Sequence, residues 1–117
     1  MKALSVKQPW ATMIAEGEKT IETRTWDTDY RGDLIICSSK QPKVTGHLAG
    51  FALCVVELYD VRPLKPADED RARCRYFPGG YAWCLRNLRD IIPKVPVRGQ
   101  LGIFELEFKD SIRMVRK

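Results

Sequence analysis

The sequence predicts a mainly β (α+β) fold: a small closed or nearly closed barrel of five or six strands, with an N-terminal helix and a short middle helix packed outside. Three observations predict it. Segments of strand character outnumber helical ones. The connections between them are rich in Gly and Pro. The closing stretch 102–108 alternates with period two, Gly102, Phe104, Leu106 and Phe108 on one side and Ile103, Glu105 and Glu107 on the other, as a half-buried strand does.

The elements follow in order. Residues 2–6 (KALSV) start an apolar strand pattern. A helix follows, with Pro9 at its first position, where no backbone donor is missed. Trp10, Met13 and Ile14 at i, i+3 and i+4 form its predicted apolar face, and Gly17 ends it. Gln8 falls at the cap, although glutamine is not a favoured capping residue. Residues 20–26 (TIETRTW) alternate, placing Glu22, Arg24 and Trp26 on one strand face. Residues 27–33 carry turn chemistry around Gly32. Residues 34–39 form a buried strand that turns polar at Ser38, and a loop follows. Residues 51–61 (FALCVVELYDV) are the strongest strand. Residues 66–77 read as a short helix, acidic at its start and basic at its end, as the helix dipole favours. Residues 77–88 are a turn and a strand, with Tyr81, Trp83 and Leu85 on one face.

A length of 117 residues, 44% of them hydrophobic and 30% charged, fits one globular domain with its own core. We place that domain at 1–110 and read 111–117 as a basic, frayed C-terminal tail. The net charge of +5 and a pI near 9.2 favour anionic partners, nucleic acid among them. The four cysteines show no C-x-x-C spacing, and Cys37 and Cys54 sit in apolar runs. With one histidine, His47, no metal site and no cofactor is expected. The opening residues lack the apolar segment of a signal peptide, and no run has the length of a membrane helix. Free thiols and the lack of a leader pattern predict a cytoplasmic protein without membrane contact.

Lys19, Glu22 and Arg24 are the central candidates. Arg24 offers a rigid donor fork, Glu22 accepts from amino groups and Lys19 supplies a mobile charge from the turn. Together they suit an anion or a nucleobase edge; the plain alternative is a surface ion pair of little energetic worth. Lys7, Gln8, Ser38 and Lys40 lie at strand ends, where pockets form. Trp26 is the favoured stacking surface, Tyr81 a further one, and Trp10 is expected in the core. Glu22 and Glu57 would form an acid–base pair only if the fold joined them.

At QPWATMIAEGEKTIETRTW the sequence resembles the ASCH domain family, named for activating signal cointegrator homology. The family hallmark is a helix followed by Gly-x-Lys-x-x-Glu-x-Arg, matched here by Gly17, Lys19, Glu22 and Arg24. The stretches GGYAWCLRNLRDI and IPKVPVRGQLGIFEL also look like the closing half of a phage or bacterial member, so the resemblance covers most of the chain outside 60–78. It implies a PUA-like β-barrel with a cleft beside the first helix, in which RNA or nucleotides bind. Lys19, Glu22 and Arg24 would line that cleft, with Lys7, Gln8 and Trp26 as neighbours. One branch is similar to N4-acetylcytidine amidohydrolases, which use a lysine at the Lys19 position, a threonine three residues later and a glutamate from a following helix. Here Glu22 occupies the threonine position, and Glu69 is the one glutamate of the expected middle helix.

Three functional expectations follow: an RNA- or nucleotide-binding module; a small amidohydrolase of a modified nucleoside, with Lys19 and Glu22 as catalytic candidates; and a protein-interaction domain without a small ligand.

Overall fold

A computed structural model describes residues 1–108 and 112–117. The chain runs β1 (Lys2–Val6), α1 (Trp10–Ala15), β2 (Ile21–Arg24), β3 (Gly32–Ser38), β4 (Phe51–Pro63), a 3₁₀ turn (Pro66–Asp68), α2 (Glu69–Ala72), β5 (Tyr81–Pro96), β6 (Ile103–Glu105) and β7 (Arg113–Arg116). One sheet in the order β2-β5-β4-β3-β1-β6, with β7 added on β5, curls into a half-barrel. The predicted mainly β fold with two short helices is therefore present, with seven strands among the described residues where five or six were expected.

β1 and β3 pair in parallel, Ala3 opposite Ile35 and Val6 opposite Ser38; the other pairs are antiparallel. The long β4–β5 ladder shifts register three times, between Ala52 and Cys54, Val55 and Glu57, and Leu58 and Asp60. Such bulges increase local twist and curl the sheet. The continuous apolar run of β3 has a simple cause, because both of its faces are covered. Leu34 and Ile36 join Leu4, Val56 and Trp83 in one cluster, while Ile35 and Cys37 join Ala3, Val55 and Phe104 in the other. Each buried Leu, Ile, Val or Phe among them contributes about 1.5–3 kcal/mol on burial.

The first helix presents a different face from the one its spacing predicted. Ala11, Ile14 and Ala15 are buried, whereas Trp10 is 37% exposed. The two small alanines let α1 settle close against the sheet, and the bulky indole turns out to the rim. Gly17 ends the helix as expected, at φ +83°. Gln8 does cap, with an unusual group: its Oε1 accepts from Thr12 N–H at 2.9 Å, while its Nε2 donates to Leu48 O at 2.8 Å.

The middle helix is much shorter than 66–77. It stops at Ala72, where Arg73 takes a left-handed conformation with φ 54°. Asp68 sits beneath it, buried against the Arg62 guanidinium at 2.8 Å. β5 runs on past residue 88 to Pro96, and part of the tail read as frayed forms β7 against it. The expected domain boundary after residue 110 lies outside the described residues. Among the described residues, no helix is long and apolar enough to cross a membrane.

Candidate functional site

The turn after α1 builds one corner of a cavity. The left-handed Gly17 reverses the chain, and Gly17, Glu18 and Lys19 donate their N–H groups to the last helical carbonyls, of Ile14 and Met13. Lys19 therefore points inward. Only 2% of it is exposed, and its ammonium donates to Ala72 O at the end of α2. β2 then starts at Ile21. The strand period puts Glu22 and Arg24 on a common face, as the alternation predicted.

Glu22 divides its carboxylate between two cations. Oε1 lies 3.6 Å from Lys19 Nζ, and Oε2 lies 3.0 Å from an Arg24 guanidinium nitrogen. That nitrogen also donates to Ser5 O at 2.7 Å, which ties β2 to β1. Burial pushes the Lys19 ammonium below its ordinary pKa; Glu22 and Cys74 pull it back up, and Arg24 adds to the lowering. Two buried polar atoms here, Arg24 Nε and Ser5 Oγ, have no hydrogen-bond partner among the described residues.

The trio borders a cavity of about 440 Å³. β1 and its exit supply Ser5, Val6 and Lys7, and Trp10 stands on the helix side. The segment after α2 forms the facing wall with Cys74, Arg75 and Phe77. Thr23 reaches the same wall, its hydroxyl 3.8 Å from Cys74 Sγ. Ser39, Gln100 and Leu101 close the rim. Four basic side chains, Lys7, Lys19, Arg24 and Arg75, meet one carboxylate, Glu22. Phe77 is held by a close approach: a Cβ on Gly80 would fall 2.5 Å from its Cε2. The arrangement offers a donor–acceptor floor, two aromatic rings and an excess of positive charge, which suits a planar polar ligand with an anionic group.

The structure brings Lys7, Lys19, Glu22 and Arg24 to this cavity. Lys40 lies in an adjoining hollow with Ser39 and Arg98. Four other sequence candidates are engaged elsewhere. Both ends of the Gln8 amide are spent on the helix cap and Leu48. The Ser38 hydroxyl is buried against the Phe51 backbone, accepting from its N–H at 3.1 Å. Trp26 lies beyond the end of β2 and packs edge-on against Trp83, with ring centroids 4.8 Å apart. Tyr81 pairs with Arg24 in the ladder, and its side chain packs on the core. Glu57 pairs with Arg86 at 2.9 Å, so it forms no acid–base pair with Glu22. Glu69 accepts from Tyr76 N–H at 2.7 Å and does not line the cavity.

Sequence reasoning missed Trp10, Cys74, Arg75, Phe77, Gln100 and Leu101. The signal for Trp10 was the pair of alanines at 11 and 15, which mark the true buried face. Phe77 before Pro78-Gly79-Gly80 was a signal too, since a ring beside two glycines can pack against bare backbone.

Comparison with known proteins agrees with this architecture. A 135-residue alignment gives 27% identity to activating signal cointegrator 1 of Homo sapiens, covering 91% of this chain and 22% of that protein. The Mus musculus protein of the same name matches equally, at 27% identity and the same coverage. The chain thus spans under a quarter of the length of these relatives, 22%. The crystal structure of ASCH from Zymomonas mobilis superposes with a TM-score of 0.70 at 15% identity, over 91% of this chain and 87% of that one, so the fold is shared. The ASCH domain model matches residues 4–95, a span that includes the Lys19–Glu22–Arg24 trio and the Cys74–Phe77 wall, and the chain belongs to the ASCH domain family.

Proposed function

We propose that this ASCH domain binds RNA, taking one nucleotide into the cavity beside α1. The observation that carries the reading is the Lys19–Glu22–Arg24 trio, its first two members buried and Arg24 partly so, opening on a hollow rather than on bulk water. Glu22 and Arg24 present an acceptor beside a donor fork, the pairing that a base edge requires. Trp10 and Phe77 offer ring faces, and stacking of a base on an aromatic contributes about 1–3 kcal/mol. Lys7 and Arg75, both exposed at the rim, suit the phosphate. A cytoplasmic site of action belongs to the same proposal, supported by four free thiols at Cys37, Cys54, Cys74 and Cys84.

Titration of a fluorescent single-stranded RNA tests it. Trp10→Ala and Arg24→Gln are each expected to weaken binding several-fold, and affinity to fall steeply with salt. Unchanged binding in both variants would leave a protein-interaction domain as the better reading.

A second reading has one observation in its favour, the burial of Lys19 at the cavity wall, which disfavours its charged form. A neutral Lys19 amine could take a proton from water as that water attacks the acetyl carbonyl of N4-acetylcytidine. The C–N bond then breaks, acetate leaves, and the proton passes to the freed N4. Two features weigh against it: Glu22 in place of the threonine, and a Glu69 carboxylate spent on Tyr76. Incubation with N4-acetylcytidine decides the matter, since acetate release abolished in Lys19→Met is required.

A further inference from the structure

The main cavity does not end at its rim. Ser5, Ser39, Gln100 and Leu101 line it and also line a second hollow, whose other walls are Lys40, Arg98 and Gly99. A third hollow carries on past Lys40 and Arg98 to Gly50 and Phe51. Among the described residues no carboxylate lines the second or the third, so within that set both cations face the trough without a compensating charge in it.

The fold sets these two cations side by side. Gly50 N–H donates to Ser38 O at 2.9 Å, and Gly50 O accepts from Val97 N–H at 2.9 Å. One residue thus ties the chain leading to Lys40 to the chain leading to Arg98. Gly50 also carries the Lys40 stem: at φ +78° it has no Cβ, and one added there would lie 3.0 Å from Lys40 Cγ. Between the hollows stands Leu101, 99% exposed, an apolar side chain held in open water at the junction. Beside it is the Ser5 hydroxyl, without a hydrogen-bond partner among the described residues.

From this continuity we infer that the site takes a single strand of RNA rather than a free nucleotide: one base in the main cavity, Leu101 against the next, and the phosphate between them on Lys40 and Arg98. The inference rests on the nucleotide-binding reading above and adds a basic track to it. Positive grooves with apolar platforms are how sequence-tolerant single-strand binders follow a backbone.

The test compares two probes, a fluorescein-labelled single-stranded RNA of about six nucleotides and the free ribonucleoside 5′-monophosphates. The K40Q/R98Q double variant is expected to bind the strand about tenfold more weakly at low salt, with the slope of log K against log salt reduced by about 0.7 per phosphate lost. Its amide shifts with the monophosphates, followed by NMR, stay those of the wild type. Leu101→Ser is expected to weaken the strand several-fold more than it weakens the monophosphates, since Leu101 also stands on the rim of the main cavity. Strand binding unchanged in K40Q/R98Q, or strand and monophosphate of equal affinity in the wild type, overturns the track and leaves the cavity reading standing. If Arg24→Gln and Trp10→Ala bind both probes as the wild type does, the cavity reading fails and the track with it. A duplex that binds more tightly than the strand also overturns the inference.

Discussion

Lys19 and Glu22 face each other across 3.6 Å, and their side chains are only 2% and 9% exposed. Two opposite charges have been taken out of water at the wall of a cavity, where solvation no longer masks the loss of either one. Removing the carboxylate alone, in Glu22→Gln, leaves Lys19 and Arg24 without their shared anion. Such a change costs about 3 kcal/mol. Lys19→Met keeps the Glu22–Arg24 pair and is expected to cost less. Urea unfolding of the two variants measures the difference, and equal losses would show that the trio is not coupled as drawn.

Lys19 also gives stability a pH signature. Its folded-state pKa lies below the ordinary 10.5, chiefly through burial. Between the two values the unfolded chain holds the proton that the folded protein has released, so stability rises with pH across that window. Below the window both states are charged and the contribution is flat. The stability difference between wild type and Lys19→Met, followed up to the lysine range, is expected to move in the wild type's favour.

Trp10 and Trp26 exchange the positions their sequence context suggested, one at the cavity and one packed on the core, and mutation separates them. Trp26 packs edge-on to the fully buried Trp83. Trp26→Ala is expected to lower stability by about 2 kcal/mol or more and to leave RNA affinity almost unchanged. Trp10→Ala is expected to do the reverse, with a small stability loss and several-fold weaker binding. Thermal unfolding and a binding titration on both proteins distinguish the two cases.

Gly80 keeps the Phe77 ring in place. A methyl group in Gly80→Ala would enter within 2.5 Å of Cε2 and 2.7 Å of Cζ, so the ring must swing away. The expected loss of stability is about 1–3 kcal/mol, the range for overpacking, together with weakened ligand binding. Gly79→Ala makes the control for space: a Cβ there meets nothing within 4 Å, although its φ of +80° adds backbone strain. Weakened binding in Gly79→Ala equal to that in Gly80→Ala would argue against the ring.

Asp68 anchors the segment that carries the facing wall. Arg62 hydrogen bonding holds its carboxyl down to about 2, from an ordinary 3.8. The stabilisation is complete above the unfolded value and is lost as pH falls through the folded one. Asp68→Asn is therefore expected to cost about 2 kcal/mol at neutral pH, and the gap to wild type should close between about pH 4 and pH 2. A gap that stays constant on acidification would mean that the ion pair is not its source.

The reach of sequence reasoning follows from how local each signal is. Alternation in 20–26 placed Glu22 and Arg24 on one face, because strand geometry repeats every two residues whatever the partner. The Gly17 stop and the buried β3 were legible for the same reason. The middle helix was not. Its charge order favoured residues 66–77, but Asp68 is held by Arg62, six positions back, and Arg73 turns left-handed, which closes the helix at Ala72. Trp26 was misjudged because extending the alternation past Arg24 assumed a strand that ends there.

By itself the sequence determined the mainly β class, the two-faced core strands, the turn that follows α1 and the family motif Gly17, Lys19, Glu22 and Arg24, since all of these are written in short-range periodicity and spacing. Tertiary structure alone decided that Ala72 O accepts a hydrogen bond from the Lys19 ammonium, that Arg75 and Phe77 line the same cavity as Trp10, and that Lys40 and Arg98 share one trough. Those neighbours are 53 to 67 positions apart in the chain. What joins them is the curl of the sheet and the packing of its covering loops, and no local pattern of residues encodes a distance of that kind.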